Sequence, residues 1–177
     1  MAADLEADAG SDMALPLIDR LRSFQPVEAD IVLASLRFRQ SRLDEAATAL
    51  VTAFVRLRMD PWPQIRFVQK ALTLAEAVAN GDRTTTRRLF DALEKPFSLR
   101  VQNTPRLVTR VDLAAQIDPR GMCQSVFGEL EPYIPWTQAL LTMRRDCYQA
   151  TNDPRLPTAV RELETFFAGE PLPLAPR

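Results

Sequence analysis

The residue types that usually carry chemistry are scarce in this sequence. It has no histidine, which removes the commonest general base and the commonest metal ligand. Its two cysteines, Cys123 and Cys147, lack the close spacing of a zinc-binding pair, and a disulfide scaffold would normally carry more. Each therefore reads as a small hydrophobe buried in an apolar stretch, with no neighbouring base to activate it. Asp112 and Asp118 lie six residues apart, a spacing that does not place them on one helical face, and Asp118 already suits a helix cap before Pro119. No set of residues here supports catalysis, a cofactor or a metal, so a non-enzymatic protein is expected. Trp62 and Trp136 each follow a proline at the start of a helix. Both are expected to be wedges buried between helices, with exposed aromatic anchors for a peptide as the alternative. The doublets Arg87-Arg88 and Arg144-Arg145 suit solvated helix faces.

Composition says what kind of scaffold holds these residues. A chain of 177 residues with 46% apolar content can bury a core, so one globular or solenoid domain is expected. Only 5 glycines and an abundance of Ala, Leu and Arg favour helices, and most of the 14 prolines fall at segment edges. With 22 basic against 23 acidic residues, no global field draws the chain to nucleic acid. No apolar run reaches the length of a membrane span, and two unpaired cysteines fit a reducing cytoplasm. Residues 1–12 hold Asp4, Glu6, Asp8 and Asp12 with no basic residue, the reverse of a secretory signal, and read as a disordered acidic leader.

From there to residue 169 the pattern is helical throughout. Leu15, Leu17, Ile18, Leu21 and Phe24 predict an amphipathic helix that caps the first repeat. A first hairpin spans about Val27 to Met59, with Ile31, Ala34 and Phe38 on its first helix. Ser41 reads as the N-cap of its second helix, with Asp44 three residues on, and Leu43, Ala46, Leu50 and Phe54 face inward. After Asp60-Pro61-Trp62-Pro63, a helix over about Gln64–Asn80 ends at Gly81, and Asp82 caps the next, which buries Leu89, Phe90 and Leu93. Phe97–Thr104 reads as an extended connector, and Thr104-Pro105 and Asp118-Pro119 start the two helices of a third hairpin. Trp136 opens a fourth, whose second helix starts at Asp153-Pro154 and ends at Gly169. Residues 170–177 form a proline-rich tail expected to be extended and mobile.

Leu33-Ala34, Ser41, Leu43, Ala46, Leu50, Ala53, Phe54 and Pro61 together resemble the tetratricopeptide repeat, a helix–turn–helix hairpin that stacks on copies of itself. Ala46, Thr86, Cys123 and Ala159 fall at intervals of 40, 37 and 36 residues, each followed four later by Leu50, Phe90, Phe127 and Leu163. The family's period is about 34 residues, so each interval is slightly long. Arg37 stands where the family has tyrosine. The resemblance implies an all-α, right-handed solenoid of about four antiparallel hairpins over residues 13–169, with the first helix as an N-terminal cap. It also implies a concave groove that binds a protein or peptide, lined by the first helix of each hairpin: Ile31, Ser35, Phe38 and Arg39, then Asp112 and Gln116, then Arg144 and Tyr148. The asparagine–lysine clamp with which some members hold a C-terminal carboxylate is absent, with Ser35 at the asparagine position. The segment around Asp60–Pro63 and the hairpin after it also resembles the helical region downstream of the catalytic domain in some bacterial spermidine-synthase-like proteins. That second resemblance implies an accessory or regulatory segment of an aminopropyltransferase. Neither resemblance names a partner or an oligomeric state.

Overall fold

The computed structural model describes residues 2–79, 82–118 and 121–169. Among them all regular structure is helical, with ten α-helices, one short 3-10 turn and no strand. The chain divides into two compact units, the first ending at Ile117 and the second starting at Asp118.

In the first unit the acidic leader is not disordered: Ala2–Asp8 is a helix, α1. Ala3 and Ala7, four residues apart, share one side of it and are buried there. Gly10 ends α1 with φ 73°, so that Gly10 N donates to Ala7 O and Ser11 N to Glu6 O, both at 3.0 Å. Glycine suits this turn twice over, since a Cβ there would also stand 3.4 Å from Cβ of Arg39. The next helix, α2 (Ala14–Arg22), buries Ala14, Ile18 and Leu21 and packs against α1 and against α3 (Pro26–Arg39). Buried Asp30 ties this corner together, pairing with Arg22 at 2.5 Å and with Arg56 at 2.9 Å.

With α3, α4 (Leu43–Leu57) forms the first hairpin. Ser41 does not cap α4. It sits at φ 60° and closes α3 instead, where Ser41 N donates to Phe38 O at 2.9 Å and Arg42 N to Arg37 O at 2.8 Å. A serine hydroxyl caps a following helix from extended backbone, and the left-handed turn uses Ser41 otherwise. Glu45, in the first turn of α4, pairs across the turn with Arg42 at 2.5 Å and Arg37 at 3.2 Å.

Pro61 and Pro63 hold a non-helical link, and Asp60 Oδ1 accepts from Trp62 N at 2.9 Å. That geometry leaves Trp62 87% exposed, and Trp136 is 51% exposed, so neither is the buried wedge expected of it. Helix α5 (Ile65–Ala79) starts where Glu28 of α3 accepts from Gln64 N at 3.0 Å. The expected end of this helix at Asn80-Gly81 lies outside the described residues. As the sequence predicts, Asp82 caps α6 (Arg83–Ala92) by accepting from the amides of Thr84 and Thr85. The connector then returns to α4: Phe97 stacks on Phe54 at 6.0 Å, and Ser98 N donates to Leu57 O at 3.0 Å. It shortens into a 3-10 turn, Arg100–Gln102, and α7 (Asn103–Ile117) already includes Thr104, with Pro105 tolerated in its first turn. In this unit α3 packs on α5 and α5 on α7, while α4 packs on α6.

The second unit holds α8 (Met122–Leu130), α9 (Gln138–Thr151) and α10 (Leu156–Gly169), with α9 packed against each of the others. Cys123 and Cys147 are not free thiols. Both are buried, and they form a disulfide that ties α8 to α9 with their Cα atoms 6.1 Å apart. Cysteine count argued against pairing, but a single bridge needs only two helices packed at the right distance. The ground for expecting a reducing cytoplasm goes with it. Asn152, at φ 52°, closes α9 as Ser41 closes α3, with Asp153 N donating to Tyr148 O at 2.9 Å. The Asp153 carboxylate, expected to cap, accepts from Arg155 N at 2.8 Å and also from Gln124 of α8 at 2.6 Å. Pro119, half of the expected start signal of α8, and the tail 170–177 lie outside the described residues.

Candidate functional site

The stripe on α3 named through the repeat resemblance divides between core and surface. Ile31 is wholly buried and belongs to the core, not to a surface. Ser35 is buried as well, and its hydroxyl donates to Asp8 Oδ1 of α1 at 2.7 Å. Phe38, half-buried, and Arg39, exposed, line a cavity of about 340 Å³ opposite Lys70, Thr73 and Leu74 of α5.

Lys70 reaches out of α5 to both carboxylates of α1, with Nζ 2.5 Å from Asp4 Oδ1 and 2.6 Å from Asp8 Oδ1. Asp4 and Asp8 are one helical turn apart, so a single ammonium can bridge them only while α1 is helical. Burial alone would raise the Asp8 carboxyl. The hydrogen bonds from Lys70 and Ser35, with the charges of Lys70 and Arg39, outweigh it and hold Asp8 below its ordinary value. What the arrangement does chemically is grip a short acidic helix: its small side chains are buried where it packs on α2 and α3, and its paired carboxylates face a cation.

Farther along the same row of helices, Asp112 on α7 is half-buried and Gln116 is exposed. Burial, and secondly the charge of Glu76 on α5, push the Asp112 carboxyl up to about 6. Glu76 in turn accepts from the Thr109 hydroxyl at 2.8 Å.

Arg144 and Tyr148, expected to present themselves to a partner, are only 2% and 0% exposed. Arg144 bridges Glu131, which follows α8, at 3.3 Å and pairs with Glu162 of α10, while Tyr148 OH donates to Glu131 Oε1 at 3.0 Å. Burial first, and then the neighbouring Glu131 charge, raise the Tyr148 phenol above its ordinary value. The Arg155 guanidinium lies 4.5 Å over the Tyr148 ring. These side chains join the three helices of the second unit; they are internal residues, not the contact residues the repeat resemblance implied.

The sequence reading names Ser35, Phe38 and Arg39 but not the residues that the fold brings beside them: Lys70 and Thr73 on α5, Asp8 on α1, and Asp4, which shares Lys70. The available signal was the doubled Ala-Asp of Ala3-Asp4 and Ala7-Asp8, which repeats at helical spacing. Among the described residues no helix is long and apolar enough to cross a membrane. No family model, no curated protein and no solved structure matches this chain.

Proposed function

We propose that this chain is a non-catalytic helical-repeat module, tetratricopeptide-like in build, that binds a protein or peptide along the row made by α3, α5 and α7. The observation that carries this reading is the order of packing in the first unit. First helices neighbour first helices, α3 to α5 to α7, and second helices neighbour each other, α4 to α6, which is what stacking hairpins produces. The register agrees: the small positions Ala46 and Thr86 are both buried, as are Leu50 and Phe90 four residues after each. The repeat reading is carried by the first unit, since the boundary after Ile117 falls between the two helices expected to form a third hairpin. Along the row, Phe38, Arg39, Lys70, Thr73, Asp112 and Gln116 offer mixed charge and partial exposure, which suits recognition of a polar segment better than burial of an apolar one. No residue in the chain favours the accessory-segment reading over this one.

The test is position-dependent photo-crosslinking in the source cell. A photoreactive residue replaces Phe38 on the proposed face, or Thr52, which lies on α4. A discrete adduct from position 38 and none from position 52 supports the row as the binding face. Adducts from position 52 alone, or equal adducts from both, remove it.

A further inference from the structure

Helix α1 has the chemistry of a ligand. It is seven residues long, well short of the roughly 12 residues an isolated helix needs in water, so its helical state depends on what it docks against. It docks with two alanines, Ala3 and Ala7, and turns Leu5 outward at 72% exposed. Its polar anchors are Asp4 and Asp8 on Lys70, and Asp8 on Ser35. The contact therefore reads a pattern, small-Asp-x-x-small-Asp on a helix, through a serine hydroxyl and one ammonium. It is also incomplete. Beside Asp8 the cavity of about 340 Å³ walled by Phe38, Arg39 and Leu74 is left unfilled, because the chain reverses at Gly10. A helix carrying the same pattern and an apolar side chain beyond its second aspartate would make every contact that α1 makes and fill that cavity as well.

We infer that the face formed by Ser35, Phe38, Arg39 and Lys70 is a docking site for an acidic helical segment of a partner protein, and that α1 holds it as a displaceable intramolecular stand-in. This rests on the binding-module reading and names the chemistry of its partner. Access to the face is then set by the docking equilibrium of α1, and any change that weakens the bridge to Lys70 opens it. Charge complementarity selects the occupant, since the walls offer Lys70 and Arg39 to carboxylates.

The probe is a fluorescein-labelled synthetic peptide with the sequence of residues 2–12, titrated by anisotropy into the full chain. Three forms are compared: wild type, Asp4→Asn/Asp8→Asn, and the same pair with Lys70→Gln added, each verified as folded by its helical circular dichroism. The asparagine pair loosens α1 without touching the face, so the peptide is expected to bind it about tenfold more tightly than wild type, as befits a site freed from a mostly docked competitor. Lys70→Gln should abolish that gain, and added salt should weaken the binding. No binding to the asparagine pair at millimolar peptide, or equal binding by all three forms, overturns the proposal. An asparagine-pair variant that dimerises, and dissociates when peptide is added, overturns the assignment to a partner protein in favour of α1 from a second copy. The crosslinking experiment separates this from the broader reading: an adduct at position 38 that persists in Lys70→Gln keeps the module and removes the acidic helix.

Discussion

The Cys123–Cys147 bridge should decide whether the second unit stays folded. It joins residues separated by 24 positions, and closing a loop of that length removes about 3.5 kcal/mol of unfolded-state chain entropy at 25 °C. The unit it staples is only residues 118–177, and a core in that size class rarely supplies more than about 5 kcal/mol by itself. Reduction, or the double substitution Cys123→Ala/Cys147→Ala, should therefore take away most of its margin. With a urea m-value of about 1 kcal/mol/M for so small a unit, the midpoint should fall by about 3 M. Trp136 belongs to this unit and Trp62 to the other, so in a Trp62→Phe background fluorescence follows the second unit, while circular dichroism follows both. The expected result is an early fluorescence transition after reduction, with much of the helical signal lost only at higher urea. Superimposable fluorescence curves for the oxidised and reduced chain would refute the staple. The bridge also ties the fold to its surroundings, because such a bond persists in oxidising compartments and is kept open in reducing ones.

Three further substitutions probe the rest. Ala46→Glu places a charge where the side chain is 0% exposed and should cost on the order of 3–5 kcal/mol in denaturant melts, whereas an unchanged midpoint would mean the first hairpin is not packed as described. Asp112, with its carboxyl raised to about 6, binds its proton more tightly folded than unfolded, so its contribution is full below about pH 4 and is lost as pH rises through 6. Asp112→Asn should abolish that loss and exceed wild type by about 1–2 kcal/mol at pH 7.5, after allowance for solvent screening, with little difference at pH 4; a gap independent of pH would contradict the burial and Glu76 argument. Arg144→Ala leaves Glu131 and Glu162 without their shared cation and should destabilise the second unit by about 3 kcal/mol in the Trp136 fluorescence melt, while a partner-binding role with the fold untouched would leave that melt where it was.

Much of the helical plan was legible because it rests on local rules. Apolar residues at helical spacing marked α2 through α10, prolines marked their edges, and Asp82 capped α6 as its position after Gly81 implied. The four small positions Ala46, Thr86, Cys123 and Ala159 are all buried, as inward-facing residues of their helices. What failed locally failed for a physical reason. Three chain reversals use a residue in the left-handed region, at Gly10, Ser41 and Asn152, and a serine there looks in sequence like the cap of the following helix. The two tryptophans look like wedges by size alone, yet Trp62, in a non-helical Pro-Trp-Pro link, is left exposed to solvent.

The candidate site was harder to read because polarity and exposure part company in a covered helix. Nine of the 14 residues of α3 are buried, among them Glu28, Asp30 and Ser35, since α1, α2, α4 and α5 all pack on it. Periodicity identifies a stripe such as Ile31, Ser35 and Phe38, but it carries no information about what lies on that stripe. Each buried polar group there has a partner from another element: Glu28 takes the Gln64 amide, Asp30 takes two arginines, and Ser35 gives its proton to Asp8. In the second unit Arg144 and Tyr148 follow the same logic, polar in sequence and internal because Glu131 and Glu162 meet them. The partner of a buried polar group is therefore the quantity that turns a face into a site or into a core. For Arg144 the partners are side chains of one small unit that fold with it. For Ser35 and Lys70 the partner is a seven-residue helix with two buried alanines, too short to keep its form without the surface it docks on.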